Sequence, residues 1–240
     1  MKAVLLSERL KRKGWSYKGL AMVLPFIAVS IAFLLGGPFI LESFSLYWWE
    51  CLFLFALMSL LFLQDRKVEE EAGNFQNIRH NRMAGKIVLA KVFLLAGELV
   101  LAIPVLLVCL AFCAWLFSGL VVIDFLRDGA VLLLMILVAL WDVPLLYLLA
   151  ERVNTYLLVV MNVVTCFLLA PFLAQTSVWW LLPFTYHYKI GEVLLSLKPS
   201  GNLIEGQPPF DGGRLVLAIA LSVSLFFILL ALLYRKEEKR

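Results

Sequence analysis

Charged residues are scarce in this chain. Asp, Glu, Lys and Arg make up 16% of its 240 residues, whereas 63% of the residues are apolar. Ordinary soluble domains are about a quarter charged and about half apolar. A soluble core of this length could not bury so much apolar surface, but a bilayer can, so the composition excludes a soluble globular domain. The net charge is only +4, and we expect no nucleic-acid partner.

Histidine and cysteine, which build most metal and nucleophilic sites, are also few. The two histidines, His80 and His187, fall on opposite sides of the predicted membrane, and no His-x-x-x-His pattern occurs. All four cysteines lie in apolar runs without the spacing of a disulfide framework or a zinc site. Cys109 and Cys113 form an i,i+4 pair that a metal could bridge, although buried free cysteine usually behaves as a small hydrophobic residue. We therefore expect no metal site.

Catalytic motifs are missing as well. A phosphate-binding loop needs Gly-x-x-x-x-Gly-Lys-Ser/Thr. The single Gly-Lys pair, Gly85-Lys86, has His80 in place of the first glycine and Ile87 in place of the hydroxyl residue. The Glu-Glu-x-x-x-Arg pattern of an intramembrane protease also fails, because neither adjacent glutamate pair has arginine at that spacing. We expect no catalytic residues and no enzymatic activity in this chain.

Long apolar runs are abundant and predict an all-α, polytopic membrane protein. A spanning helix needs about 20 mostly apolar residues, and such a helix satisfies its own backbone hydrogen bonds. The mean hydropathy of the chain is +0.95. Six runs meet this requirement: 17–37, 44–63, 91–117, 129–150, 155–174 and 215–234.

The distribution of Lys and Arg predicts the orientation. With the N-terminus inside, seventeen of the 21 Lys and Arg residues lie on the inner side. Only Arg127, Lys189, Lys198 and Arg214 lie outside. Inner loops carry this excess of positive charge in membrane proteins. We predict a multi-pass plasma-membrane protein whose two termini are both cytoplasmic.

Three segments outside the predicted spans carry further information. Residues 1–14 predict an amphipathic interfacial helix, with Glu8 and Arg12 among the charged residues facing water; a disordered basic tail is the alternative. The outer connection, 175–214, predicts a re-entrant or amphipathic hairpin, and Trp179 and Trp180 at its start are candidates for an outer gate. The inner connection, 64–90, is longer than two neighbouring helices require.

The inner connection contains the most distinctive pattern in the chain. Three glutamates are followed by Ala-Gly, an aromatic residue, Gln-Asn and then a basic stretch leading into the third span. Phe75 and Ile78 would share one face of a short helix, which suits docking into a groove on a cytoplasmic partner. The alternative is a solvated loop whose charges only set the topology. The candidate docking residues are Glu69, Glu70, Glu71, Gly73, Asn74, Phe75, Gln76 and Asn77.

This motif, together with the six-span layout, resembles ABC-2-type transporter permeases, and in particular the lantibiotic self-immunity permease subunits. The resemblance covers the chain as a single transmembrane domain, 1–240. It implies that the segment around residues 69–77 is a coupling helix that contacts an ATP-binding subunit. It also implies two copies of that ATPase, which would hold ATP and Mg²⁺, and a second permease chain, often non-identical. No cofactor is implied for this chain.

The family resemblance gives the leading functional hypothesis: a bacterial exporter subunit that removes a cationic, hydrophobic antimicrobial peptide from the membrane and so confers self-immunity or resistance. Two alternatives stay open. One is an ABC-2 permease for a drug, lipid or polysaccharide, and the other is a non-transporting membrane scaffold or sensor.

Ionisable and polar residues within the spans are the remaining candidates. Such residues usually mark functional sites or interhelical contacts. Glu50, Glu98, Asp142 and Asn162 form a predicted polar seam that would contact substrate or the second permease. The alternative is a hydrogen bond between Asp142 and Asn162 that only holds the bundle together. Asp142 also precedes Pro144, which predicts a kink in the fourth span.

Overall fold

The computed structural model describes residues 1–12, 15–72, 83–117, 119–198, 200–204 and 212–238. Six of its helical segments are long and apolar enough to cross a membrane, which confirms the all-α, multi-pass architecture. We name them the first to sixth spans in chain order. Their bounds are Tyr17–Gly36, Leu41–Glu71, Ala84–Leu116, Phe125–Leu149, Thr155–Ala174 and Gly212–Glu238.

The second and third spans are longer than the sequence predicts. They contain 31 and 33 residues, or about 46 and 50 Å at 1.5 Å per residue, and a bilayer core is only about 30 Å thick. Both helices continue beyond their predicted inner ends at residues 63 and 91. Charged residues in these extensions form ion pairs with one another inside the bundle. The helices therefore continue through residues that the sequence alone would place in a polar loop. The two extensions flank the inner segment 73–82.

Local sequence signals account for several helix ends. Asn154 caps the fifth span, since its side-chain oxygen accepts hydrogen bonds from the backbone N–H groups of Tyr156 and Leu157 at 2.9 and 3.3 Å. Asp124 caps the fourth span in the same way, through Arg127 N–H. The first span ends at Gly36, and Gly37 follows with φ of +67°, a conformation that favours glycine.

Three spans depart from a continuous α-helix. The fourth is interrupted between Phe125–Ala139 and Asp142–Leu149, close to Pro144, which has no backbone N–H to donate. The predicted kink itself stays a prediction. The second and fifth each contain a π-helical turn, at Trp49–Phe53 and Thr165–Leu169, and these two turns contact each other. Single π turns inside α-helices are rare and often accompany functional sites.

A short helix precedes the first span. This N-terminal helix, Lys2–Lys11, packs against the third span. The expectation that Glu8 and Arg12 face water is wrong, because only 3% and 8% of their surfaces are exposed. Both side chains join charged partners on the bundle, whereas Leu6 and Leu10 are exposed. The helix is therefore tied to the bundle through charge rather than through an apolar stripe alone.

The outer connection folds back onto the bundle. Two one-turn helices, Trp179–Leu181 and Pro183–Thr185, lead into the hairpin helix, Tyr186–Leu194. The hairpin helix packs against the fourth span, the sixth span and the π turn of the second span. A short helix packed on the bundle is thus present before the last span, and its re-entrant character stays a prediction.

Burial is uneven among the spans. In the most apolar stretch of the second and fourth spans, 67% of the residues are buried. In the other four spans, 22–33% of the residues of that stretch are buried. The second and fourth spans form the centre of the bundle. The remaining spans present apolar faces that require lipid or a partner chain.

Candidate functional site

A buried ion-pair network lies near the C-terminal end of the second span and the N-terminal end of the third, the end of the bundle that the sequence predicts to be the inner one. Asp65 is its centre. One carboxylate oxygen lies 2.7 Å from the Arg12 guanidinium, and the other lies 2.9 Å from Lys91 Nζ and accepts a hydrogen bond from the Tyr147 hydroxyl at 2.8 Å. The carboxylate therefore joins the N-terminal helix and the second, third and fourth spans.

The network extends along the second span to Glu69, one helical turn after Asp65. Glu69 Oε1 lies 2.8 Å from Lys91 Nζ and 3.1 Å from Lys11 Nζ. Lys11 also pairs with Glu8 at 2.8 Å. Three cations and three carboxylates thus balance. Buried charges are tolerated when they are paired in this way, and removing one member leaves an uncompensated charge.

The cations from the N-terminal helix hold their protons firmly. Burial opposes the charge on Lys11, but Glu8 and Glu69 outweigh it and raise the pKa of Lys11 above its ordinary value. Burial likewise opposes the charge on Arg12, yet the neighbouring Asp65 carboxylate raises its pKa. The Arg12 guanidinium also lies 4.8 Å from the centre of the Tyr17 ring. Both cations therefore remain charged at physiological pH.

The predicted docking residues divide into two sets. Glu69 is buried in the network, whereas Glu70 and Glu71 are exposed at the end of the second span. Gly73, Asn74, Phe75, Gln76 and Asn77 lie outside the described residues. The network therefore fixes both helices that lead into the predicted coupling segment.

A second polar group lies inside the bundle, between the second, fourth and fifth spans. The Asn162 side-chain amide donates hydrogen bonds to Asp142 at 2.8 Å and to Ser59 at 3.0 Å. All three residues are buried. Next to the interruption of the fourth span, the Ser222 hydroxyl donates to the Val138 carbonyl at 2.6 Å. The contact between Asp142 and Asn162 considered from the sequence is present, and it links three spans.

The other two members of the predicted seam lie elsewhere. Glu50 is fully buried in the π turn of the second span, and its carboxylate packs directly against Gly191 of the hairpin helix. Glu98 is half-buried on the third span, and its Oε2 has no hydrogen-bond partner among the described residues. The structure thus joins Asp142 and Asn162 but does not assemble the four residues into one contact.

The outer hairpin is held by hydrogen bonds to its own backbone and to the fifth span. The Tyr186 hydroxyl donates to the Trp180 carbonyl at 2.7 Å, and the Tyr188 hydroxyl donates to the Cys166 carbonyl in the π turn at 3.2 Å. Trp179 packs edge-on against Tyr186. Trp179 and Trp180 are therefore part of the fixed base of the hairpin.

His187 occupies the inward face of the hairpin helix. Its ring lies 4.8 Å from the ring of Phe55 on the second span and is 1% exposed. Among the described residues, no group of three His, Cys, Asp or Glu side chains is placed to hold a metal ion.

Sequence reasoning missed the centre of the inner network. The sequence predicts Asp65 within the inner connection and Lys91 at the start of the third span, and it gives no reason to single out Tyr147. One signal was available, because Asp65 and Glu69 are four residues apart and share one helix face. The contact of Glu50 with Gly191 had no local signal, since the two residues are far apart in the chain.

No family model matches the chain, and no curated protein and no solved structure matches it.

Proposed function

We propose that this chain is a bacterial plasma-membrane permease subunit of an ATP-driven exporter, with both termini in the cytoplasm. The observation that carries the proposal is the buried network around Asp65. It clamps the two long helices that flank segment 73–82 to the N-terminal helix and to the fourth span. A membrane subunit driven by a separate motor needs such a rigid base beneath the contact segment.

In the proposed mechanism, the ATP-binding subunit pushes on the segment around residues 69–77. Glu70 and Glu71 lie on the exposed end of the second span, next to that contact, while Glu69 holds the helix to Lys91. Because the network joins four elements, the push moves the inner ends of the second, third and fourth spans together. Asn162 then passes the displacement to the fifth span through its hydrogen bonds to Asp142 and Ser59.

The partners follow from the same proposal. ATP and Mg²⁺ would bind two copies of a separate ATPase, and this chain would perform no catalysis itself. A second permease chain, identical or not, would cover part of the apolar surface of the weakly buried spans. The hairpin that begins at Trp179 and Trp180 lies at the opposite end of the bundle from the network, where it would act as the outer gate.

The proposed substrate is a cationic antimicrobial peptide bound in the membrane. This part of the proposal rests on the resemblance of the inner motif to lantibiotic immunity permeases. A drug, lipid or polysaccharide substrate would keep the same coupling but change the resistance profile.

A resistance assay tests the proposal. A sensitive host expressing the chain with its ATPase should survive a higher concentration of lantibiotic than the empty host. Phe75→Asp should abolish this protection, because a charged side chain at the predicted docking residue would not bind an apolar groove on the ATPase. Phe39→Asp is the matched control, since Phe39 is an exposed aromatic residue (77% exposed) at the outer end of the bundle. Loss of protection in both variants, or in neither, would overturn the coupling assignment.

A further inference from the structure

A groove between the third and sixth spans combines apolar walls with two cations. It lies at the inner end of the bundle and has a volume of about 470 Å³. Lys86 and Leu89 line it from the third span, and Met1 lines it from the N-terminal segment. The sixth span contributes Phe227, Leu230, Ala231, Tyr234 and Arg235. None of the described residues lining it is acidic.

The residues divide along the groove by polarity. Lys86 lies one turn before Leu89 at the inner end of the third span, and Arg235 lies one turn after Ala231 near the end of the sixth. The cations are thus at the cytoplasmic end predicted by the Lys and Arg distribution, while the apolar residues continue toward the membrane interior. This arrangement matches a molecule with an anionic head and an apolar tail.

Close packing of the two spans creates this arrangement. A side chain at Gly85 would come within 2.8 Å of the Tyr234 ring and 3.2 Å of its backbone carbonyl, so the helices meet there without a gap. Gly85 precedes Lys86, and Tyr234 precedes Arg235. The contact therefore brings the two cations to the same end of the groove, one on each side.

We propose that this groove is a binding site for an anionic phospholipid, with Lys86 and Arg235 holding the phosphate and the apolar walls holding an acyl chain. Charge complementarity identifies the occupant, because a lining with two basic side chains and no acidic one among the described residues favours an anionic head group over a zwitterionic one. On the sixth span, Glu238 accepts a hydrogen bond from the Tyr234 hydroxyl at 3.2 Å. Basic pockets between spanning helices on the cytoplasmic side bind anionic lipid head groups in this manner. The proposal is independent of what the protein transports.

A second cleft provides a comparison within the same molecule. It lies between the second and fifth spans and is lined by Lys67, Glu70 and Tyr156, among others. Lys67 lies 5.7 Å from the centre of the Tyr156 ring. The lipid groove has apolar walls and no acidic residue in its described lining. This cleft has neither feature, because Glu70 contributes a negative charge and most of the residues lining the cleft are polar. Lys67 is thus a matched control for the loss of one inner cation.

The test uses the full chain in nanodiscs of phosphatidylcholine with a small fraction of spin-labelled lipid. Labelled phosphatidylglycerol should associate more strongly than labelled phosphatidylcholine. One cation near an anionic lipid surface is worth about a fivefold change in affinity, so Lys86→Ala with Arg235→Ala should reduce the preference by about 25-fold. Lys67→Ala should leave it unchanged. Equal loss in the control, or an unchanged preference in the double variant, would overturn the proposal.

A second variant separates groove binding from general attraction to charge. Ala231→Phe fills the apolar part of the groove and leaves both cations in place, so it should also abolish the preference. Retained preference in a folded Ala231→Phe protein would contradict an acyl-chain site.

A competition experiment with inorganic phosphate distinguishes a lipid site from a site for a soluble anion. If phosphate at the same concentration displaced the labelled lipid completely, the site would be one for a soluble anion, and the lipid proposal would be wrong.

Discussion

At the scale of single residues, Asp65 is the most connected charge in the described chain. It accepts from Arg12, Lys91 and Tyr147, and only 3% of its surface is exposed. Its partners come from three other elements. A carboxylate in this position holds two cations out of water, so its charge matters more than its volume.

Asp65→Asn should therefore destabilise the protein by about 3–5 kcal/mol, because it leaves Arg12 and Lys91 without full compensation. The free energy of unfolding can be measured in detergent micelles with a denaturing detergent. Glu71→Gln is the control on the same helix, since Glu71 is exposed, and it should change stability by no more than about 0.5 kcal/mol. Equal stability of the two variants would show that the network does not hold the bundle.

Asp142 makes a different kind of contact, a single interhelical hydrogen bond. Asp142→Asn keeps an oxygen that can accept from Asn162, so we expect normal folding and assembly. Asp142→Leu removes the acceptor and leaves a buried amide short of one partner, at a cost of about 1–3 kcal/mol. The same unfolding measurement checks both variants. If Asp142→Asn folded normally but lost all protection in the resistance assay, Asp142 would have a transport role beyond this bond.

At the scale of elements, the hairpin helix and the π turn of the second span fit each other at one close contact. Glu50 fills the space beside Gly191, which has no side chain of its own. The contact joins the outer hairpin to the most buried span of the bundle.

Gly191→Ala should displace the hairpin helix, because the added methyl group would overlap the Glu50 carboxylate. Overpacking of this kind costs about 1–3 kcal/mol. Faster proteolysis of the outer connection would report the displacement. Gly97→Ala is the control, since nothing lies within 4 Å of the added carbon there.

A second substitution makes this prediction specific. Glu50→Ala removes the overlapping group, so the double variant with Gly191→Ala should regain protease resistance. If the double variant remained as sensitive as Gly191→Ala alone, the Glu50 contact would not be the cause.

The elements also show where sequence reasoning succeeds. The six spans, the interruption of the fourth span near Pro144 and the short helix before the last span follow from apolar run length, proline and aromatic patterning. The inner ends of the second and third spans do not, because Asp65, Glu69 and Lys91 look like loop residues until their partners are known. Whether a charged residue ends a helix or is buried depends on residues distant in the chain.

At the scale of the whole molecule, the two ends of the bundle differ in chemistry. The inner end is fixed by paired charges, and the outer end is closed by an aromatic hairpin that rests on two π turns. In each of the third, fifth and sixth spans, more than two-thirds of the residues of the most apolar stretch are not buried within the bundle. Such surfaces fit a chain that is surrounded by lipid and by other subunits.

The predicted orientation connects these ends to function. The Lys and Arg distribution predicts that the charged end faces the cytoplasm, which is the side where the proposed ATP-binding subunit would be found. Residues 73–77, which carry the motif that suggests a coupling segment, lie outside the described residues, and the structure shows how the helices on either side of them are held.

The central claim, that a separate ATPase drives this chain through its inner segment, is tested most directly by affinity purification from native membranes. The account predicts that an ATP-binding subunit co-purifies with the wild-type chain and with Phe39→Asp, and is lost with Phe75→Asp. Purification of the intact wild-type chain without any ATP-binding subunit would contradict it.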